Sequence, residues 1–294
     1  MKNILSNQLN LHYYCDHHRH LVCIPYSIKN LHEMAIDLNI DRCWFHKDHY
    51  DIPKRRIREI SEKCIITSSR SILEIIQTGD LNVMSKQIAE KLLSINAVKL
   101  SPKKFFTWSS GIKSPIYCDN RVIFSNVDVR REILSHLVSV IHSKFKRPDL
   151  ICGVATGGIS PGVLAAHEMY LPFIYARPEA KSHGLKNTIE GEFKKGQTVI
   201  VVEDLISTGG SSIKVVEALK KAGLKVNGVV SIFNYGLKSS NELFEKAKCK
   251  VVSLCDYDSL LEQAISTGHI QSEDLKILQE WKDELMSTKK TRSK

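Results

Sequence analysis

The residues best equipped for chemistry are Glu203 and Asp204, adjacent acids that follow the apolar, β-branched run 198–202. Behind them come Ser207-Thr208-Gly209-Gly210-Ser211-Ser212 and then an amphipathic stretch over 213–222. The run reads as a buried strand that ends at the acids, and the stretch as a helix. Together these parts make a phosphate cradle. Glycines admit an anion close to the backbone, N–H groups and hydroxyls donate to its oxygens, and the helix N-terminus adds ~0.3–1 kcal/mol. At the strand end the two acids suit sugar hydroxyls or a metal–sugar complex. The loop is not a Walker A loop, because no Gly-Lys-Ser/Thr follows, and Gly-x-Gly-x-x-Gly is absent.

Three other segments carry chemistry. Cys152-Gly153-Val154-Ala155-Thr156-Gly157-Gly158-Ile159 is a second strand running into a Gly-rich turn and a helix, hence a second anion site. Arg177-Pro178-Glu179-Ala180-Lys181-Ser182-His183-Gly184 opens a polar stretch that continues to Gly196. A long polar loop of this kind in an α/β domain suits a cationic lid. Residues 106–121, which include Phe106, Trp108, Lys113, Tyr117, Cys118 and Arg121, form an aromatic-rich segment fit to wall a flat ring.

In order and composition these four segments resemble the type I phosphoribosyltransferases, which bind phosphoribosyl diphosphate (PRPP), and among them the orotate phosphoribosyltransferases. The resemblance runs from about Asn82 to the C-terminal helices. It implies Mg²⁺-dependent transfer of 5-phosphoribosyl from PRPP to orotate, giving orotidine 5′-monophosphate and diphosphate in pyrimidine biosynthesis, with the ion held through PRPP and not by direct side-chain ligation. It also implies a homodimer with shared active sites. By the same resemblance Glu203 and Asp204 hold the ribose hydroxyls, while Ser207, Thr208, Gly209, Gly210 and Ser211 hold the 5′-phosphate. Thr156 and Gly157 lie against the diphosphate. Arg177, Lys181 and His183 belong to the mobile loop, with Lys181 and His183 serving the neighbouring subunit. Tyr117 and Cys118 lie where the family contacts orotate, and Lys113 is a further expected substrate-binding residue. Ser109 and Pro178 stand where many members carry Lys, and Asn234-Tyr235-Gly236-Leu237 where some carry an orotate-binding Arg. Two alternatives share the PRPP motif: transfer to another base, which the aromatic segment opposes, and a PRPP-sensing regulator that binds nucleic acid.

These segments need a sheet to position them. Strand patterns rich in apolar residues at 150–154, 171–176, 198–202, 225–234 and 251–254 alternate with helical patterns at 84–94, 130–144, 159–169, 213–222 and 238–247. That alternation predicts an α/β domain: a mostly parallel sheet flanked by helices, with ligands at the carboxyl ends of the strands. The expected division is a His-rich domain at 1–75, the transferase-like domain at 76–288 and a basic tail at 289–294. Among 294 residues, 43% are hydrophobic and 25% charged, ordinary for a globular protein. No apolar run nears the ~20 residues of a membrane span and no apolar signal core opens the chain, so a cytoplasmic location without a membrane partner is expected. Eight scattered cysteines without a Cys-x-x-Cys pair exclude a zinc ribbon and argue against a disulfide framework. The net charge of +10 fits a polyanionic small substrate as well as nucleic acid, and no nucleic-acid partner is expected.

Residues 11–70 lie outside the transferase pattern. Their Trp44-Phe45-His46-Lys47-Asp48-His49-Tyr50-Asp51 string and an upstream His-Leu resemble a small bacterial domain family of unknown function. His20, His46 and His49, with Asp51, offer imidazole and carboxylate donors for zinc or a similar ion. The competing reading is a small docking domain whose histidines are hydrogen-bonded.

Overall fold

In the computed structural model of the protein, residues 12–24, 26, 28–67, 69–78, 81–108, 111–178 and 188–287 are described. The chain separates into two units, Met1–Met84 and Ser85–Lys294. The boundary expected after residue 75 therefore falls later, inside a helix. The reason is that this helix is anchored to the second unit from Ser85 onward: its Oγ accepts from the Asp256 N–H at 3.3 Å, and Lys86 pairs with Glu262 at 3.3 Å.

The first unit holds β1 (His12–Cys15), β2 (His20–Ile24), α1 (Ile28–Asp37), β3 (Phe45–His46), β4 (His49–Asp51), α2 (Ile57–Ser61), β5 (Ile65–Ile66) and α3 (Ser69–Thr78). Its sheet has the order β3-β4-β2-β1-β5, with only β1 and β5 parallel. Leu21 and Tyr50 face each other across β2 and β4 and are buried with Leu31 and Met34 of α1 and Ile72 and Ile75 of α3. Because strand side chains alternate, the neighbouring pair His20 and Asp51 lies on the opposite face.

The second unit begins within α4 (Leu81–Ser94) and continues with β6 (Val98–Leu100), β7 (Phe106–Thr107), β8 (Lys113–Ser114), β9 (Ile116–Cys118) and α5 (Val127–Lys144). The main sheet follows: β10 (Leu150–Val154), α6 (Ile159–Glu168), β11 (Phe173–Ala176), β12 (Ile189–Glu190), β13 (Thr198–Ile206), α7 (Gly210–Lys221), β14 (Lys225–Asn234), α8 (Lys238–Lys246) and β15 (Val251–Asp256). Helices α9 (Tyr257–Ser266) and α10 (Asp274–Ser287) close the described chain. The sheet order is β12-β11-β10-β13-β14-β15, parallel throughout except for β12. This is the parallel α/β sheet that the alternating runs predict. Val199, Ile200, Val201 and Val202 are 0% exposed, and each such side chain contributes roughly 1.5–3 kcal/mol by leaving water.

The chain enters this sheet at β10, adds β11 on one side and β13 on the other. The switch in direction opens a crevice at the carboxyl ends of β10 and β13, where ligands of open α/β sheets bind. Among the described residues no helix is long and apolar enough to cross a membrane.

Candidate active site

Strand β13 passes through the acidic pair instead of ending before it. Its pairing with β10 stops at Val202 opposite Gly153, while its pairing with β14 continues through Glu203 opposite Ser231 to Ile206 opposite Asn234. The acids thus stay strand-bound on one edge and lose their neighbour on the other, at the mouth of the crevice.

The two acids sit differently. Glu203 is 5% exposed; its Oε2 accepts from the Ser212 hydroxyl at 3.0 Å and its Oε1 from the Asp204 N–H at 3.2 Å. Burial, reinforced by the adjoining Asp204 carboxyl, pushes the Glu203 carboxyl well above the usual range. Asp204 is half-buried and lies against the turn after β10. A Cβ on Gly157 would stand 2.2 Å from the Asp204 carboxylate, so glycine is what lets the turn and the acid meet. At Gly158 the obstacle is backbone: a Cβ there would lie 2.3 Å from the Val202 carbonyl oxygen. Thr156 is exposed at the tip of this turn, and the Ala155–Thr156 peptide is cis.

The second cradle begins earlier than the apolar pattern indicates. Helix α7 starts at Gly210, not at Ile213, so Gly210, Ser211 and Ser212 form its first turn. Their N–H groups precede the first intrahelical acceptor and point toward an incoming anion. Gly209 caps the helix at φ 76°, in the left-handed region that glycine enters freely. Ser207 is half-buried; Thr208 and Ser211 are exposed.

Arg177 follows directly on β11, beside β10. Its N–H donates to the Thr188 carbonyl at 2.8 Å, its guanidinium lies 5.8 Å from the Tyr175 ring centroid, and its Nε is buried with no hydrogen-bond partner among the described residues. Lys181, His183 and Ser109 lie outside the described residues.

The aromatic segment reaches the same crevice. The Asn120 side-chain amide donates to the Asp204 carbonyl at 2.7 Å, and the Cys118 thiol donates to Asn120 Oδ1 at 3.4 Å. Burial pushes the Cys118 thiol well up, with Asp204 and Asp119 adding to the effect, so it is a neutral contact and not a nucleophile. Tyr117 is 38% exposed and packs against Phe106 at 5.8 Å between centroids. Lys113 turns along the β7–β8 hairpin, its Nζ donating to Thr107 Oγ1 at 2.7 Å. The Trp281 indole of α10 donates to the Lys113 carbonyl, and Trp108, Tyr235 and Trp281 pack ring on ring. Tyr235, in the stretch where some members carry an Arg, is 1% exposed within this cluster and braces the segment. Asn120 and Trp281 are the residues sequence reading missed. The Asp-Asn pair after Tyr117-Cys118 was a local signal for Asn120; nothing local marks Trp281.

In the first unit the strand register gathers His20, His49 and Asp51, whose donor atoms all lie within 4.8 Å of one another. His46 stands outside this trio, its Nε2 3.4 Å from Asp51 Oδ2.

A parallel sheet with an acid at its switch point, flanked by two Gly-rich turns that each start a helix, defines a type I phosphoribosyltransferase. A model of the phosphoribosyl transferase domain matches residues 129–269, and a model described as a protein of unknown function (DUF4031) matches residues 11–90. The orotate phosphoribosyltransferase of Staphylococcus haemolyticus is 50% identical over 202 residues, 69% of this chain and 100% of that one, and the chain belongs to the orotate phosphoribosyltransferase family. Among solved structures, orotate phosphoribosyltransferase from Aeropyrum pernix matches with a TM-score of 0.52 and 28% identity, over 60% of this chain and 98% of that one. UMP synthase from Leishmania donovani matches with a TM-score of 0.60 and 25% identity, over 73% of this chain and 46% of that longer one.

Proposed function

We propose that this chain transfers the 5-phosphoribosyl group of PRPP to orotate, forming orotidine 5′-monophosphate and diphosphate. The observation that carries the reading is the meeting of Gly157 and Asp204 at the sheet's switch point, between the two helix-starting turns. A substrate with a phosphate at one end, a diphosphate at the other and a sugar between fits this order of parts.

The first turn of α7, with Ser207, Thr208 and Ser211 around it, holds the 5′-phosphate. The turn at Thr156 and Gly157 takes the diphosphate, assisted by Arg177. Asp204 faces the ribose hydroxyls, and Glu203 fixes the start of α7 through Ser212. The half-buried Asp204 carboxylate supplies the hard oxygen chemistry that Mg²⁺ prefers, so Asp204 and the sugar oxygens it orients fit a Mg²⁺–PRPP complex. When bound, the ion neutralises charge on the departing diphosphate. As the bond to diphosphate lengthens, the ribose ring gains positive charge, and Asp204 stabilises that charge more in the transition state than in the ground state. Orotate arrives as an anion, so no strong base is required. Tyr117 and Cys118 serve orotate, and Lys113 is a further substrate-binding residue. Lys181 and His183, which follow Arg177 in the sequence, serve the diphosphate of the neighbouring subunit's site in a homodimer.

The direct test is formation of orotidine 5′-monophosphate from PRPP and orotate with Mg²⁺; absence of turnover on orotate, with turnover on another base, would sink the reading. Lys181→Ala is expected to lower kcat by roughly 10²-fold or more while PRPP still binds. Mixing Lys181→Ala with Asp204→Ala chains should restore part of the activity, because a hybrid dimer keeps one complete site. No recovery in hybrids shown to form removes the shared site.

A further inference from the structure

We propose that the first unit carries a divalent transition-metal site of the zinc class, ligated by His20 Nε2, His49 Nε2 and a carboxylate oxygen of Asp51, with water completing the coordination.

The backbone register builds the ligand set. His20 lies directly opposite Asp51 in the antiparallel β2–β4 pair, His49 is two residues before Asp51 on the same strand, and His46 lies opposite His49. Residues two apart, and residues directly opposite, share a face of a sheet. All four side chains therefore emerge on one face, while Leu21 and Tyr50, at 0% and 1% exposure, bury the other. The core side holds the platform rigid and the far side is left to the donors.

Each imidazole is already oriented by a carboxylate. The Asp16 side chain, 1% exposed, meets His20 Nδ1 at 2.7 Å, and its other oxygen accepts the N–H groups of His18 and His20, fixing the turn that leads into β2. Asp48 Oδ1 meets His49 Nδ1 at 2.7 Å. With Nδ1 so engaged, Nε2 of each ring is the donor available, and His49 Nε2 is 3.9 Å from Asp51 Oδ1. A carboxylate on the far nitrogen fixes tautomer and ring plane and raises basicity, which is the outer-shell arrangement that metal-bound histidines use. A docking surface or a structural hydrogen-bond cluster has no need for two separate carboxylate–imidazole pairs aimed at a third carboxylate.

The donor set selects the ion. Two imidazoles and one carboxylate suit a borderline ion such as Zn²⁺; Mg²⁺ and Ca²⁺ prefer oxygen alone. Tetrahedral Zn²⁺ with bonds of ~2.0–2.1 Å spaces its donors by ~3.3 Å, so modest side-chain rotations close the trio on the ion. His20, His49 and Asp51 are 38%, 22% and 21% exposed, which leaves an entry path and room for a bound water. Three protein ligands and an open position is the arrangement of zinc sites that act on substrates.

The test uses the full chain, stripped with a chelator and titrated with Zn²⁺ by calorimetry, with metal content measured after dialysis. One Zn²⁺ per chain is expected. His49→Ala and Asp51→Ala should weaken it beyond the roughly 10–100-fold loss that removal of an outer-shell partner causes, and Asp16→Asn should fall within that range. Unchanged affinity in both His49→Ala and Asp51→Ala, a greater loss in His46→Ala than in His49→Ala, or no binding at all, overturns the assignment. To keep the test independent of variant folding, the unsubstituted chain is also loaded with Co²⁺. A four-coordinate visible spectrum without a thiolate charge-transfer band supports the site, and a thiolate band shows that cysteines hold the metal and overturns it.

Discussion

Glu203 and Asp204 are neighbours in sequence with opposite environments. Glu203 is enclosed and its oxygens are occupied by Ser212 and a backbone N–H; Asp204 faces the crevice. Nothing in the sequence separates them: as neighbours on β13 they point to opposite faces, and packing decides that one face is closed by Ser212 of α7 while the other meets the turn at Gly157. The enclosed acid carries a pH signature. Its carboxyl is held above the usual range by burial first and by Asp204 next. A raised carboxyl favours the folded state while it stays protonated. That contribution is complete below the ordinary glutamate value of about 4.3 and is lost as pH climbs through the raised folded value. Glu203→Gln keeps the shape and cannot ionise, and the Ser212 hydroxyl can turn to accept from the amide. The Tm of Glu203→Gln should therefore gain on the parent as pH rises above the ordinary carboxylate range, by about 2–4 °C per kcal/mol in a domain of this size. Parallel Tm curves for the two proteins across that range would show that Glu203 is not the group responsible.

The turn after β10 shows how much of a site an element can encode. Gly157 and Gly158 are adjacent, yet a side chain at each meets a different obstacle. At Gly157 a Cβ would strike the end of the Asp204 side chain, which can rotate away; at Gly158 it would strike the Val202 carbonyl and the Val154 backbone, which cannot. Gly157→Ala is thus expected to fold with stability within about 1 kcal/mol of the parent while losing roughly 10²-fold in orotate transfer, because the acid leaves its place. Gly158→Ala should instead lose about 1–3 kcal/mol or more of stability. Denaturation curves beside kinetics distinguish them, and equal loss of stability in both variants would refute the division. Apolar runs alone predict β10 at its observed bounds, since a strand buried on both faces leaves a continuous signature. They miss the continuation of β13 through its acids and the start of α7 at Gly210, because pairing with β14 and the glycine cap set those ends. The strands of the first unit, two to five residues long, left no periodic trace, so there only the donor types were legible and not the register that assembles them.

At the scale of the molecule, the chain joins two units with separate cores, and each candidate site lies within one of them. The crevice draws its acid from β13, its turns from the ends of β10 and β13, and its brace from α10, all in the second unit. The Staphylococcus haemolyticus relative matches 69% of this chain with its entire length, so the rest of this chain has no counterpart in that protein. Helix α4 is the one element the division cuts, and Ser85 and Lys86 tie it to Asp256 and Glu262. A cut placed inside α4 would remove those anchors or leave an unpaired helix start, whereas a chain beginning at residue 79 keeps α4 whole. That chain should fold cooperatively and retain orotate transfer with kcat within about threefold of the full protein, since a remote deletion that leaves the reacting groups in place removes no transition-state contact. It should also lose the Zn²⁺ binding assigned to the first unit, because all three ligands are gone. A truncated chain that folds by circular dichroism but transfers no phosphoribosyl group would place part of the catalytic machinery in the first unit and overturn the independence of the two sites.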